Sequence, residues 1–81
     1  FQALGDPCRF KIFKMLINNH DVCVTDVAHV FEITVSAASQ QLRVLERLGL
    51  VVKMRMGQMV CYEINRENVI TKQLIKLFSA N

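Results

Sequence analysis

The sequence predicts a single, mainly α-helical domain that carries one small β-hairpin, and three observations predict it. Apolar residues recur at helical spacing in separate stretches of the chain, each bounded by capping or turn residues. Two of those stretches, one ending near Phe31 and one opening at Thr34, lie so close together that only a tight turn fits between them. Two runs rich in Val, Met, Cys and Tyr flank Gly57-Gln58, the pattern of a hairpin with a two-residue turn. At 81 residues the chain makes one domain, read as spanning 1–81.

In chain order, Phe1–Leu4 reads as the tail of a helix that begins upstream, in keeping with a start on Phe rather than Met. Gly5-Asp6-Pro7 is a break, with Asp6 as cap and Pro7 in the first turn of the next helix. That helix should reach about Asn18, burying Phe10, Phe13, Leu16 and Ile17 and turning Arg9, Lys11 and Lys14 outward. Val22-Cys23-Val24 is a short β-type stretch. A helix starting at Thr25 or Asp26 follows to about Phe31, with Val27, Val30 and Phe31 inward.

Glu32-Ile33-Thr34 forms the turn, without the glycine often found there. In the next helix Thr34 or Ser36 caps the start, and Ala38, Leu42, Leu45 and Leu48 form the apolar stripe. Gly49 suits a left-handed cap. The hairpin occupies about 50–64, with Lys53 and Arg55 on one face of its first strand and Val60, Tyr62 and Ile64 on the buried face of its second. Asn65 caps a last helix, about 66–79, with stripe Ile70, Leu74, Leu77 and Phe78. Residues 25–48 are therefore a helix-turn-helix and the whole order a winged helix-turn-helix.

The helix over 34–48 has a second face of small and polar residues: Ser36, Ala37, Ser39, Gln40 and Arg43. Small side chains permit close approach, and Ser, Gln and Arg hydrogen-bond base edges and phosphates. Residues 34–62 hold four basic residues against one acidic, a charge of +3 out of +3 for the chain. Basic excess confined to one helix and the wing is what a phosphate-facing surface needs, although a solvated basic face looks the same. The expectation is that Ser36, Ala37, Ser39 and Gln40 read base edges, while Thr34, Arg43, Lys53, Arg55 and Gln58 hold phosphates or the minor-groove edge. A winged-helix module that binds only protein is the competing reading.

Other classes find less support. No run approaches the ~20 apolar residues of a membrane span, and no signal peptide is visible. With 52% hydrophobic residues, some apolar surface is expected to be covered by a partner. Three widely spaced cysteines argue against a disulfide framework and for a reducing cytoplasm. Cys23 with His29 lacks the third residue and oxyanion pocket of a nucleophilic site, so no enzyme is expected. His20 and His29 read as surface residues, and Met54, Met56 and Met59 as packing.

The chain resembles the ArsR/SmtB family of bacterial and archaeal repressors. LGDPCRFKIFKML resembles the family's opening segment, CVTDVA its short strand and helix start, VSAASQQLRVLERLGLV its recognition helix and exit, and GQMVCYEI the wing's return strand. The resemblance implies a cytoplasmic homodimer, joined through the C-terminal helix and the Phe1–Leu4 remnant, that represses by reading an inverted-repeat operator in double-stranded DNA.

The family's sensor sites fit less well. Its Cys-Val-Cys-x-x-Cys stretch reads Cys23-Val24-Thr25-Asp26-Val27-Ala28 here, so Thr25 and Ala28 cannot supply thiolates. Its Asp/His/Glu site on the last helix falls on Arg66, Asn68 and Ser79. In persulfide-sensing members the cysteine pair lies in the second and last helices; Cys8 is too early and the last helix has none. No metal and no cofactor are expected.

Cys23 and Cys61 are the remaining pair. The strand at 22–24 should lie beside the return strand of the wing, and both cysteines are read as facing its outer side. In register they would form a thiol or metal-responsive sensor, a disulfide requiring Cα atoms within roughly 7 Å. Otherwise they are small apolar fillers, as free cysteine commonly is.

Overall fold

A computed structural model describes residues 7–79. The expectations for Phe1–Leu4 and for the Gly5-Asp6 break lie outside these residues. In chain order the elements are α1 (Pro7–Asn18), β1 (Val22–Cys23), α2 (Val24–Val30), α3 (Val35–Arg47), β2 (Val51–Met56), β3 (Met59–Ile64) and α4 (Val69–Ser79). The strands form one antiparallel sheet in the order β1-β3-β2. Val22 and Cys23 pair with Tyr62 and Cys61, and Val51 to Met56 pair with Ile64 to Met59. This is the winged helix-turn-helix architecture, with α2 and α3 as the two helices and β2–β3 as the wing.

The core draws on every helix and on the sheet: Ile12, Phe13 and Leu16, Val27, Ala28, Ala38, Leu42, Leu45, Leu50, Tyr62, Ile64 and Leu74 are buried. Four helices are rolled or ended differently from the expectation. In α1 the inward face is 9-12-13-16, a regular i, i+3, i+4, i+7 set that opens on a charged residue. Arg9 is half-buried rather than outward, and its Nε–H donates to Gln41 Oε1 of α3 at 2.8 Å. Ile12 takes the core place expected of Phe10, which sits at the edge with the Lys14 ammonium 5.8 Å above its ring.

The second helix starts at Val24, directly after Cys23, whose backbone N–H donates to Asp26 Oδ2 at 3.2 Å. Its inward face is Val24, Val27 and Ala28, so Val30 is exposed. Leu48 is also exposed, because α3 has ended and the chain turns there. The last helix starts later than expected and is capped by Asn68, whose Oδ1 accepts the Thr71 N–H at 3.1 Å. Thr71, Leu74 and Ile75 then face inward, leaving Val69, Ile70 and Leu77 outward. The burial of Phe78 lies outside what is described.

Two corners fix the recognition helix. The turn before it closes with Ile33 N–H on Ala28 O at 3.0 Å, and Glu32, in a turn that lacks the glycine often found there, takes φ 54°. After it, Gly49 has φ +78°; its N–H reaches Glu46 O, and the Leu50 N–H reaches Leu45 O. That pair of bonds is a Schellman cap. Asn65 buttresses the exit, its side-chain Nδ2 donating to Gly49 O and its backbone N–H to Leu50 O, both at 3.0 Å.

Candidate nucleic-acid interface

The recognition helix begins as its sequence dictates. Thr34 has extended backbone, and its Oγ1 accepts the Ala37 N–H at 3.0 Å. The hydroxyl proton stays available to an outside acceptor. Thr34, and not Ser36, is the cap, which leaves the Ser36 side chain exposed beside Gln40 and Arg43. Ala37 and Ser39 are half-buried at the border of this face. Arg43 donates from Nη2 to Ser39 Oγ at 3.1 Å, one turn away.

The wing completes the surface. Lys53 lies opposite Tyr62 and Arg55 opposite Val60, so both cations share the sheet face that is buried nearer the base of the hairpin. Toward the tip this face opens, and Lys53 and Arg55 are exposed. Between wing and recognition helix runs a groove of about 370 Å³. Ser39 and Arg43 line it from α3, and Lys53 and Gln58 from the wing. Of the nine residues expected to meet DNA, the groove brings these four together. Thr34, Ser36, Ala37 and Gln40 lie along α3 outside it, and Arg55 lies one pleat nearer the tip than Lys53.

Sequence reasoning missed part of the groove. Thr25 and Val35 line it, and so does Tyr62, which had been given only a core role. The register Lys53–Tyr62 was the signal that could have placed Tyr62 there. Burial pushes the Tyr62 phenol pKa up from its ordinary 10.0; the Glu46 carboxylate adds to this and the Arg43 guanidinium opposes it.

The cysteines correct one expectation. Cys23 and Cys61 are direct register partners and are joined by a disulfide, not free fillers. Cys61 is fully buried rather than facing outward, while Cys23 is half-buried and lines the base of the groove. Cys8 is not part of this disulfide. A second cavity, about 390 Å³, lies beside His20, Glu63 and Glu67 and holds none of the expected site residues. Among the described residues, no three or more His, Cys, Asp or Glu are grouped so as to hold a metal ion, and no helix is long and apolar enough to cross a membrane.

Residues 6–53 match the profile of the bacterial regulatory proteins of the arsR family. A cadmium resistance transcriptional regulatory protein CadC homolog from Staphylococcus aureus is 38% identical over 76 residues, covering 94% of this chain and 61% of that protein. The chain thus spans about three fifths of the length of that relative. Reduced HlyU from Vibrio cholerae superposes with a TM-score of 0.80 at 32% identity, over 94% of this chain and 77% of that one. The homodimeric winged helix-turn-helix DNA-binding domain of a possible ArsR-family regulator from Mycobacterium bovis gives 0.81 at 25% identity, over 98% and 70%.

Proposed function

The chain belongs to the bacterial arsR family of regulatory proteins, and on that premise we propose that it is a cytoplasmic, DNA-binding transcriptional repressor that reads an inverted repeat as a homodimer. The observation that carries the reading is the groove in which Ser39 and Arg43 of the recognition helix face Lys53 and Gln58 of the wing. Donors converging from two elements on one concave surface suit a phosphate strand, while exposed Ser36 and Gln40 are placed to reach base edges. Thr34 and Arg55 extend the backbone contacts on either side.

Dimerisation is assigned to α4, together with the segment Phe1–Leu4. Exposed Val69, Ile70 and Leu77 make an apolar face there that a second copy would cover. Two recognition helices related by a two-fold axis would then meet half-sites one helical turn apart, about 34 Å.

Fluorescence anisotropy against inverted repeats and a random duplex, at two salt concentrations, tests this reading. It expects two chains per duplex and salt-dependent binding that prefers one repeat. Gln40→Ala should weaken that repeat alone. Lys53→Ala should weaken both duplexes and lower the slope of log K against log salt by about 1. Failure of a folded dimer to bind any duplex at low salt would instead favour a protein-binding module.

A further inference from the structure

We propose that Cys23 and Cys61 form a reversible redox site whose oxidation state sets the position of the wing and hence the affinity for DNA. The inference rests on the DNA-binding reading above and names a regulation of that same groove. It starts from the one covalent cross-link between the two halves of the surface among the described residues, which otherwise meet through the β1–β3 ladder and the core packing of Leu50, Val51, Tyr62 and Ile64. The first strand has two residues, so β1 and β3 share two register pairs, Val22–Tyr62 and Cys23–Cys61. One of those two pairs is the disulfide. Cys23 directly precedes α2, the first helix of the helix-turn-helix, and Cys61 lies midway along the return strand of the wing. The covalent bond therefore spans the junction between the part that carries α3 and the part that carries Lys53 and Gln58.

The two sulfurs differ in access. Cys61 is fully buried, whereas Cys23 is half-buried and lines the groove that we assign to the DNA backbone. An oxidant can thus meet Cys23 first, and Cys61 is placed to resolve the product.

With a low-molecular-weight disulfide R–S–S–R as oxidant, the Cys23 thiolate attacks one sulfur. A mixed disulfide forms, the R–S–S–R bond breaks, and one RS⁻ leaves. The Cys61 thiolate then attacks Cys23 Sγ, forming the protein disulfide and expelling the second RS⁻. Two protein thiols lose two electrons and two protons, and one oxidant becomes two RSH. A small dithiol reverses the sequence.

The direction of control follows from the state described. With the bond closed, Ser39 and Arg43 already face Lys53 and Gln58 across one groove. Opening it removes that cross-link and leaves the ladder and the core packing to hold the wing, so that part of its ordering falls on DNA binding. The oxidised protein should bind more tightly, by about tenfold, which corresponds to about 1.4 kcal/mol.

The test is DNA anisotropy on the full chain, oxidised with glutathione disulfide or reduced with dithiothreitol, alongside titration of free thiols. Support requires one reagent-titrated cysteine when oxidised and three when reduced, and an affinity that follows the count in both directions. Cys61→Ala, which removes the bond at a buried position outside the groove lining, should bind at the reduced level under both conditions. Equal affinity of the one-thiol and three-thiol forms would overturn the inference and leave the DNA-binding reading intact. Three titrating thiols after oxidant would overturn it as well. Absence of binding in both states would overturn the DNA-binding reading, and the inference with it.

Discussion

Replacing Gly49 by Ala tests the corner at which the recognition helix hands the chain to the wing. Two separate terms oppose a Cβ there. The backbone sits at φ +78°, where an L side chain costs about 1–2 kcal/mol. The new carbon would also lie 2.8 Å from Asn68 Nδ2, closer than contact allows. Asn68 must then move, and its Oδ1 caps α4 through the Thr71 N–H. Loss of a cap costs about 1 kcal/mol. Reduced freedom of the unfolded chain returns about 0.4–1 kcal/mol. Gly49→Ala should therefore destabilise by about 2 kcal/mol.

Gly57 supplies the control. It has φ +67° and nothing within 4 Å of an added Cβ, so Gly57→Ala carries only the backbone term, about 1 kcal/mol. Urea unfolding followed by far-ultraviolet circular dichroism, at fixed protein concentration, measures both. In an Asn68→Ala background the extra cost at Gly49 should shrink to that at Gly57. Equal costs for the two glycines, or a Gly49 cost unchanged when Asn68 is removed, would refute the reasoning.

Two further outcomes follow from buried polar groups. Thr71 Oγ1 is buried without a hydrogen-bond partner, so the near-isosteric Thr71→Val should stabilise by up to about 1 kcal/mol, and a loss in the same urea assay would show that the hydroxyl is bonded. Tyr62 holds its phenolic proton more tightly folded than unfolded, so its contribution is complete below the ordinary pKa of 10.0 and is lost as pH rises past 10.0 toward the raised folded value. Tyr62→Phe should flatten the fall in stability between about pH 9 and 11, and an unchanged slope would exclude Tyr62 as its source.

Element types and order were legible in the sequence because they rest on local signals: Pro7 at a helix start, Thr34 at a cap, Gly49 at an exit and Gly57-Gln58 in a turn. What local signals do not specify is the roll of a helix. Ile12 rather than Phe10 fills the core, and Arg9 on the same face meets Gln41, a contact 32 residues away. In α4 the choice between Asn65 and Asn68 as cap decided which apolar residues turned outward. Asn65 was used elsewhere, on the carbonyls of Gly49 and Leu50. The polar face of α3 was readable as a list of residues. Its division between groove and open flank was not, because that depends on wing register. The cysteine pairing was open for the same reason: Cys23 and Cys61 meet only through the β1–β3 register.

The corner around Gly49 also bears on how a dimer would act on its recognition helices. Three elements meet there. Past the end of α3, Asn65 holds the carbonyls of Gly49 and Leu50, the wing strand begins at Val51, and α4 begins with a cap that touches the space beside Gly49. Two of these, α3 and the wing, carry every residue assigned to DNA, and α4 carries the apolar face assigned to the partner copy. A shift of α4 against a partner would reach α3 through Asn65 and Asn68 without crossing the core. The wing has its own second tether, the Cys23–Cys61 bond from the middle of its return strand to β1. The exit of the recognition helix is thus held by hydrogen bonds, and the wing is tied to the start of α2 by a covalent bond. Under the redox proposal only the second of these would respond to oxidants, so thiol chemistry would act on the groove without acting on the hydrogen bonds at the α3 exit.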